Sequence, residues 1–111
     1  MKREELEEKT NGDDQMMGLV AVLKIKPGME KKVAYASPKM AEEVKKHEKE
    51  CLLYEPYMPA EGASEVYFLE KYTSAEALDE HRRTVHYQAL KEALKDALTE
   101  PVQATVIKPL G

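Results

Sequence analysis

"EVYFLEKYTSAEAL", residues 65–78, decides the architecture. In an extended chain Val66, Phe68, Glu70 and Tyr72 share one face, while Tyr67 and Leu69 occupy the other. Aromatic and branched residues of this kind favour a pleated, half-buried surface. The period changes at Ser74. A serine there is a good helix N-cap, and it leads into "AEALDEHRRTVHYQALKEALKDAL", a helical region ending near Thr99. A strand with bulk on both faces that feeds directly into a helix needs cover on both sides. Helices can supply one cover, and the other must come from elsewhere.

Working outward, "CLLYEPYMP" (51–59) is a second aromatic-rich strand, and "AEGAS" joins it to the first as a hairpin. Upstream, "GLVAVLKIKPG" (18–28) alternates Leu19, Ala21, Leu23 and Ile25 with Val20, Val22, Lys24 and Lys26, which predicts a strand stopped by Pro27-Gly28. From Met29 to Glu50 the apolar positions Val33, Met40 and Val44, with His47, fall near one helical face. Pro38 interrupts this helix. Ser37 can cap a new start there, so the spacing predicts a kink or two short helices. Pro101 opens a last strand, "VQATVIKPL".

The order strand, helix, strand, strand, helix, strand is the ferredoxin-like split βαβ arrangement. It is an α+β fold with a four-stranded antiparallel sheet and both helices on one face. The other sheet face would expose apolar residues in a monomer, which points to a homodimer packed sheet face to sheet face.

This domain is expected over residues 18–111. Residues 1–17 set Lys2, Arg3 and Lys9 against six acidic residues and run through Asn-Gly-Asp-Asp, so they read as a flexible acidic tail. The whole chain of 111 residues carries a net charge of −4, with neither a basic face nor aromatics interleaved with lysines, which argues against nucleic acid. No apolar run is long enough to cross a membrane, and the N-terminus is charged where a signal peptide is apolar, so the expected location is cytoplasmic. The single Cys51 makes no internal disulfide and reads as a small apolar residue.

The chemistry concentrates in "HRRTVHYQAL", residues 81–90. On an unbroken helix, His81 and His86 are five residues and about 140° apart, not the four-residue spacing of a zinc helix. No metal site is expected. His81 borders the apolar side of its helix, where an imidazole can exchange a proton with a bound ligand. Thr84 can break and recap the helix, giving His86 a local structural role. Tyr54, Tyr57, Tyr67 and Tyr72 all come from the hairpin. Phenols facing a cavity suit an aromatic or otherwise planar ligand, although tyrosines also simply fill sheets. No Gly-rich phosphate loop, Gly-x-Ser-x-Gly elbow or dinucleotide fingerprint is present, and no cofactor is expected.

"LKIKPG", "CLLYEPY", "VYFLEKYTSAEALDEHRRTVHYQAL" and the closing "VIKPLG" together resemble the antibiotic biosynthesis monooxygenases, most nearly the small quinol monooxygenase type. The resemblance covers about residues 18–111. It implies a dimeric α+β barrel with one pocket per subunit, where an electron-rich phenol or hydroquinone is oxygenated by O2 without metal or flavin. It also implies His81 as base or anchor and, as a second candidate catalytic residue, Tyr72, at a position where relatives often carry tryptophan. Tyr54, Tyr67, Glu70 and His86 are then the candidate substrate contacts.

Tyr72, Val85 and Glu50 depart from the residues common in the family. Ala21, His81 and Lys91 replace the Asn, Trp and His of haem-degrading relatives. "HRRTVHY" also resembles isomerases of a phosphorylated signalling sugar, and a non-catalytic ligand-binding barrel is a third reading, since fold does not fix function.

Overall fold

A computed structural model describes residues 16–110 of the chain. The expected acidic tail falls, but for its last two residues, outside the described residues, and Met17 already belongs to a strand. The elements are β1 (Met17–Lys24), α1 (Glu30–His47), β2 (Cys51–Tyr57), β3 (Glu65–Tyr72), α2 (Ala75–Arg82), α3 (Val85–Leu94) and β4 (Gln103–Ile107). The four strands form one antiparallel sheet in the order β2-β3-β1-β4. This is the ferredoxin-like α+β fold, with the second helical region divided in two. No described helix is long and apolar enough to cross a membrane.

The alternation in β1 and β3 places the core. Leu19, Ala21 and Leu23 from β1, and Val66, Phe68 and Tyr72 from β3, are buried on the face that the helices cover. Val33 from α1, Leu78 from α2 and Leu94 from α3 meet them there. Ile25 continues the buried alternation past the end of β1 by bridging to Leu98. On the opposite face Leu69 and Ile107 are exposed, 38% and 47% respectively. Gly18 lies against β4, where an added Cβ would come within 2.9 Å of the Ile107 side chain, which would have to shift to make room. Gly28 follows Pro27 with φ +92°, a left-handed turn residue ending the strand as expected.

Two local expectations are corrected. Pro38 does not divide α1, which runs unbroken from Glu30 to His47, and Ser37 does not cap a new helix. The Ser37 hydroxyl instead donates to the Val33 carbonyl at 2.7 Å. Buried Val33, Met40 and Val44 lie on both sides of the proline, so packing keeps the two halves in one helix despite the lost backbone bond. The last helix ends at Leu94 rather than near Thr99, because Ala97 and Leu98 turn back to join Lys26 and Ile25.

Candidate functional site

The two histidines of "HRRTVHY" meet through a break in the helix. Thr84 ends α2 and caps α3: its hydroxyl donates to the His81 carbonyl at 2.8 Å and accepts from the Tyr87 amide at 3.1 Å. Ser74 caps α2 in the expected way, accepting from the Ala77 amide at 3.2 Å. The break redirects His86, so the rotation of a continuous helix no longer separates the rings.

Both rings reach one carboxylate. Glu48, the residue that ends α1, lies 2.8 Å (Oε1) and 3.0 Å (Oε2) from His81 Nδ1. Its Oε2 lies 2.5 Å from His86 Nε2. An ionised carboxylate only accepts, so each of these ring nitrogens carries the proton. That tautomer leaves the lone pair of His81 on Nε2. The His81 side chain is 2% exposed and that of Glu48 10%. His86 stacks on His47, with ring centroids 5.9 Å apart.

Beyond His81 lies a cavity of about 580 Å3. His81 lines this cavity and Glu48 does not, so the Nδ1 edge of the imidazole is turned to the carboxylate. The walls are largely apolar, from Leu19, Ala21, Leu23, Phe68, Leu78, Leu90, Leu94 and Ala104. The polar groups on them include buried Glu70 and His81 and half-buried Tyr54 and Tyr87. Aromatic rings surround the imidazole: its centroid is 5.2 Å from Tyr54, 5.5 Å from Tyr72 and 5.0 Å from Tyr87.

Burial sets the protonation of this wall. Desolvation lowers the His81 pKa, outweighing the opposite pull of Glu48, so the ring is neutral at neutral pH. Desolvation pushes Glu70 up to about 7, against the hydrogen bond from Tyr72 and the charge of Arg82. Tyr54 and Tyr72 are both raised by burial and remain protonated. Cys51, half-buried with its thiol donating to the Leu53 carbonyl, is pushed up to about 11, chiefly by desolvation, and has no thiolate character.

Of the candidate residues named from the sequence, His81, Tyr54 and Glu70 come together on the cavity wall. Tyr72 is fully buried beside His81, outside the lining, and its hydroxyl donates to Glu70 Oε1 at 2.6 Å. It positions Glu70. His86 stands behind the wall on Glu48. Tyr67 lies on the other sheet face, where its hydroxyl donates to Glu65. The structure therefore does not bring Tyr67 to the cavity. Sequence reasoning missed Glu48 and the cavity role of Tyr87. One signal for Glu48 was available: a carboxylate at a helix C-terminus opposes the helix dipole, so its presence there calls for another partner.

Residues 16–93 match the family described as antibiotic biosynthesis monooxygenase. A Mycobacterium tuberculosis protein, Rv0793, named provisionally as a monooxygenase, is 43% identical over 60 residues, which are 54% of this chain and 58% of that protein. The aligned stretch thus spans little more than half of that relative. The solved structure of Rv0793 superposes with a TM-score of 0.79 at 29% identity, covering 86% of this chain and 96% of the other. A Caulobacter crescentus protein, described provisionally as an antibiotic biosynthesis monooxygenase, gives a TM-score of 0.81 at 25% identity, covering 91% and 96%.

Proposed function

The chain belongs to the antibiotic biosynthesis monooxygenase family, and from that premise we propose that it oxidises a small hydroquinone or phenol-type aromatic with O2, using neither metal nor flavin. The observation that carries this reading is the buried, neutral His81 on the wall of an apolar cavity, held by Glu48 through Nδ1 so that Nε2 is its free basic nitrogen. A phenol placed there gives its proton to Nε2. The phenolate passes one electron to O2, and the radical pair recombines as a peroxide on a ring carbon that bears hydrogen. Loss of water from that carbon leaves a carbonyl, so phenol and O2 become quinone and water. The protein supplies the base, the orientation and a dry site. His81 is the catalytic base, Tyr54 and Tyr87 flank the ring, and Glu70, which burial pushes up to about 7, can return a proton to the peroxide.

The same reading takes the chain as a cytoplasmic homodimer joined through the uncovered sheet face. Glu70 beside His81 also gives two proton carriers in one cavity, which an isomerase of a phosphorylated sugar would use. The apolar walls favour the aromatic substrate.

O2 uptake over a panel of hydroquinones and polyphenols, with chelator present and His81→Ala alongside, tests the proposal. Uptake above autoxidation that disappears in the variant is expected. A fully active His81→Ala would eliminate His81 as the base, and silence across the panel would eliminate the oxygenase reading.

A further inference from the structure

The cavity has a charge asymmetry that oxygenation itself does not use. Its deep wall is neutral or acidic, whereas the exposed residues lining it on α2 and α3 include Arg82, Lys91 and Lys95. Two carboxylates also line the cavity, and each is already engaged. Glu100 is 3.6 Å from Lys24 Nζ and accepts from Gln103 Nε2 at 2.6 Å. Glu70 is buried, accepts from Tyr72 and feels the charge of Arg82. Lys95 is partly offset by Glu92 at 2.8 Å. Lys91 forms no ion pair among the described residues, and its ammonium lies 5.9 Å from the centroid of the Tyr87 ring. The lip of the cavity is therefore positive, and neither Lys91 nor Arg82 forms an ion pair there among the described residues.

Resting on the aromatic reading above, we infer that the substrate is an anionic aromatic: a phenol whose ring lies between Tyr54 and Tyr87 and whose carboxylate or other acidic arm is held at the lip by Lys91, Lys95 and Arg82. Tyr87 supplies a ruler. Its centroid is 5.0 Å from that of His81 and 5.9 Å from the Lys91 ammonium, so imidazole and ammonium are at most about 11 Å apart. With a hydrogen bond of roughly 3 Å at each end, that reach suits one ring carrying a short acidic group when the bonds lie in line, and two fused rings when they are made from the side. The cavity, about 580 Å3, is within the roughly 300–1,000 Å3 of small-molecule sites. Apolar walls select against a sugar, and the cationic lip selects against a neutral or cationic ring. An anion also gains from steering toward the lip, an advantage that salt screens.

Two air-stable probes of the same shape separate the terms: 6-hydroxy-2-naphthoate and its neutral carboxamide. Their affinities are measured by calorimetry on the full chain at low and high salt, beside Lys91→Gln, Lys95→Gln and the double variant. The naphthoate is expected to bind about fivefold tighter than the amide at low salt. That advantage should shrink in each single variant, shrink most in the double variant, where Arg82 alone remains, and disappear at high salt. Equal affinity of the two probes for the unmodified protein would overturn the anionic preference and leave the aromatic reading standing. Binding of neither would overturn both. Tighter binding of ribose 5-phosphate than of the naphthoate would overturn the aromatic half and give the lip to a phosphate. Because the titrations are run without O2, no probe turns over, and a failed O2-uptake panel beside a bound naphthoate defeats the oxygenase reading alone.

Discussion

Glu48 and His81 lie 33 positions apart in sequence and 2.8 Å apart in space, the carboxylate at the end of α1 and the imidazole in the last turn of α2. The contact fixes which imidazole nitrogen carries the proton and thus where the lone pair points. With Glu48→Gln, the amide NH2 is a donor and can hold His81 in the other tautomer, turning a protonated nitrogen toward the cavity. We expect kcat to fall by about 10²–10⁴, the usual range for a lost general base, with a much smaller change in KM. Steady-state kinetics on the substrate found by the uptake panel decide this. Loss confined to KM would mean that Glu48 only shapes the cavity.

Removing the carboxylate altogether has a structural consequence as well. Glu48→Ala leaves the N–H groups of His81 and His86 without the acceptor they share, and both side chains lie largely out of water. An orphaned buried donor costs about 1–3 kcal/mol, so this variant should lose at least that much stability in urea melts. Glu48→Gln, which keeps one acceptor oxygen, should lose less. Equal losses would show that packing rather than hydrogen bonding holds the pair.

The pH dependence of stability carries two opposing contributions. Glu70 titrates near 7 in the folded chain against an ordinary value of 4.5. Between these values the folded state binds more protons than the unfolded, so this group removes stability as pH rises through that window. His81 is lowered from 6.5, so the unfolded state binds more protons below that pH, and this group removes stability as pH falls. Glu70→Gln isolates the first effect, since glutamine retains an acceptor for Tyr72 and does not ionise. Relative to the native chain it should gain up to about 3 kcal/mol on going from pH 5 to pH 8, a shift of one pKa unit being worth about 1.4 kcal/mol. Urea titrations at both pH values measure the difference, and a pH-independent difference would place Glu70 in contact with water.

The sheet and its two faces were legible because they depend on short-range periodicity. Leu19, Ala21 and Leu23, and Val66, Phe68 and Tyr72, alternate in the chain and are buried together in the fold. The recapping role of Thr84 was legible for the same reason, since a cap is a local event. Glu48 was not. Its place at a helix C-terminus calls for a partner, but it lies on the same short segment as Glu50, and nothing local says that the partner is a pair of imidazoles. Only the packing of α1 against α3 and β2 brings it to His81 and His86. The continuity of α1 through Pro38 was hidden likewise, because buried contacts on either side outweigh the local preference for a break.

The turn between α2 and α3 is the next point of leverage. Thr84→Ala removes the hydroxyl that caps α3 and ties it to the His81 carbonyl. Loss of such a cap costs about 0.5–2 kcal/mol. Thr84→Ser should recover most of it, since serine keeps the hydroxyl. If activity falls further than stability explains, and serine restores both, the turn also sets the approach of His81 to the substrate. Activity that simply follows the folded fraction would confine Thr84 to the helix start.

The uncovered sheet face gives the last prediction. Leu69 and Ile107 are exposed on it, Val20 and Val22 are only partly covered, and Tyr67 lies beside them. A contiguous apolar surface of this kind is costly to leave in water and is buried when two such sheets meet. Leu69→Lys places a charge on that surface without touching the core face, where Phe68 and Glu70 point the other way. In a symmetric interface the substitution enters twice. Sedimentation should therefore show the native chain as a dimer and Leu69→Lys as a monomer at the same micromolar concentration, with circular dichroism showing the helices and sheet retained in both. A native chain that sediments as a monomer would remove the sheet-to-sheet dimer, and an unaffected dimer in the variant would move the interface to another surface.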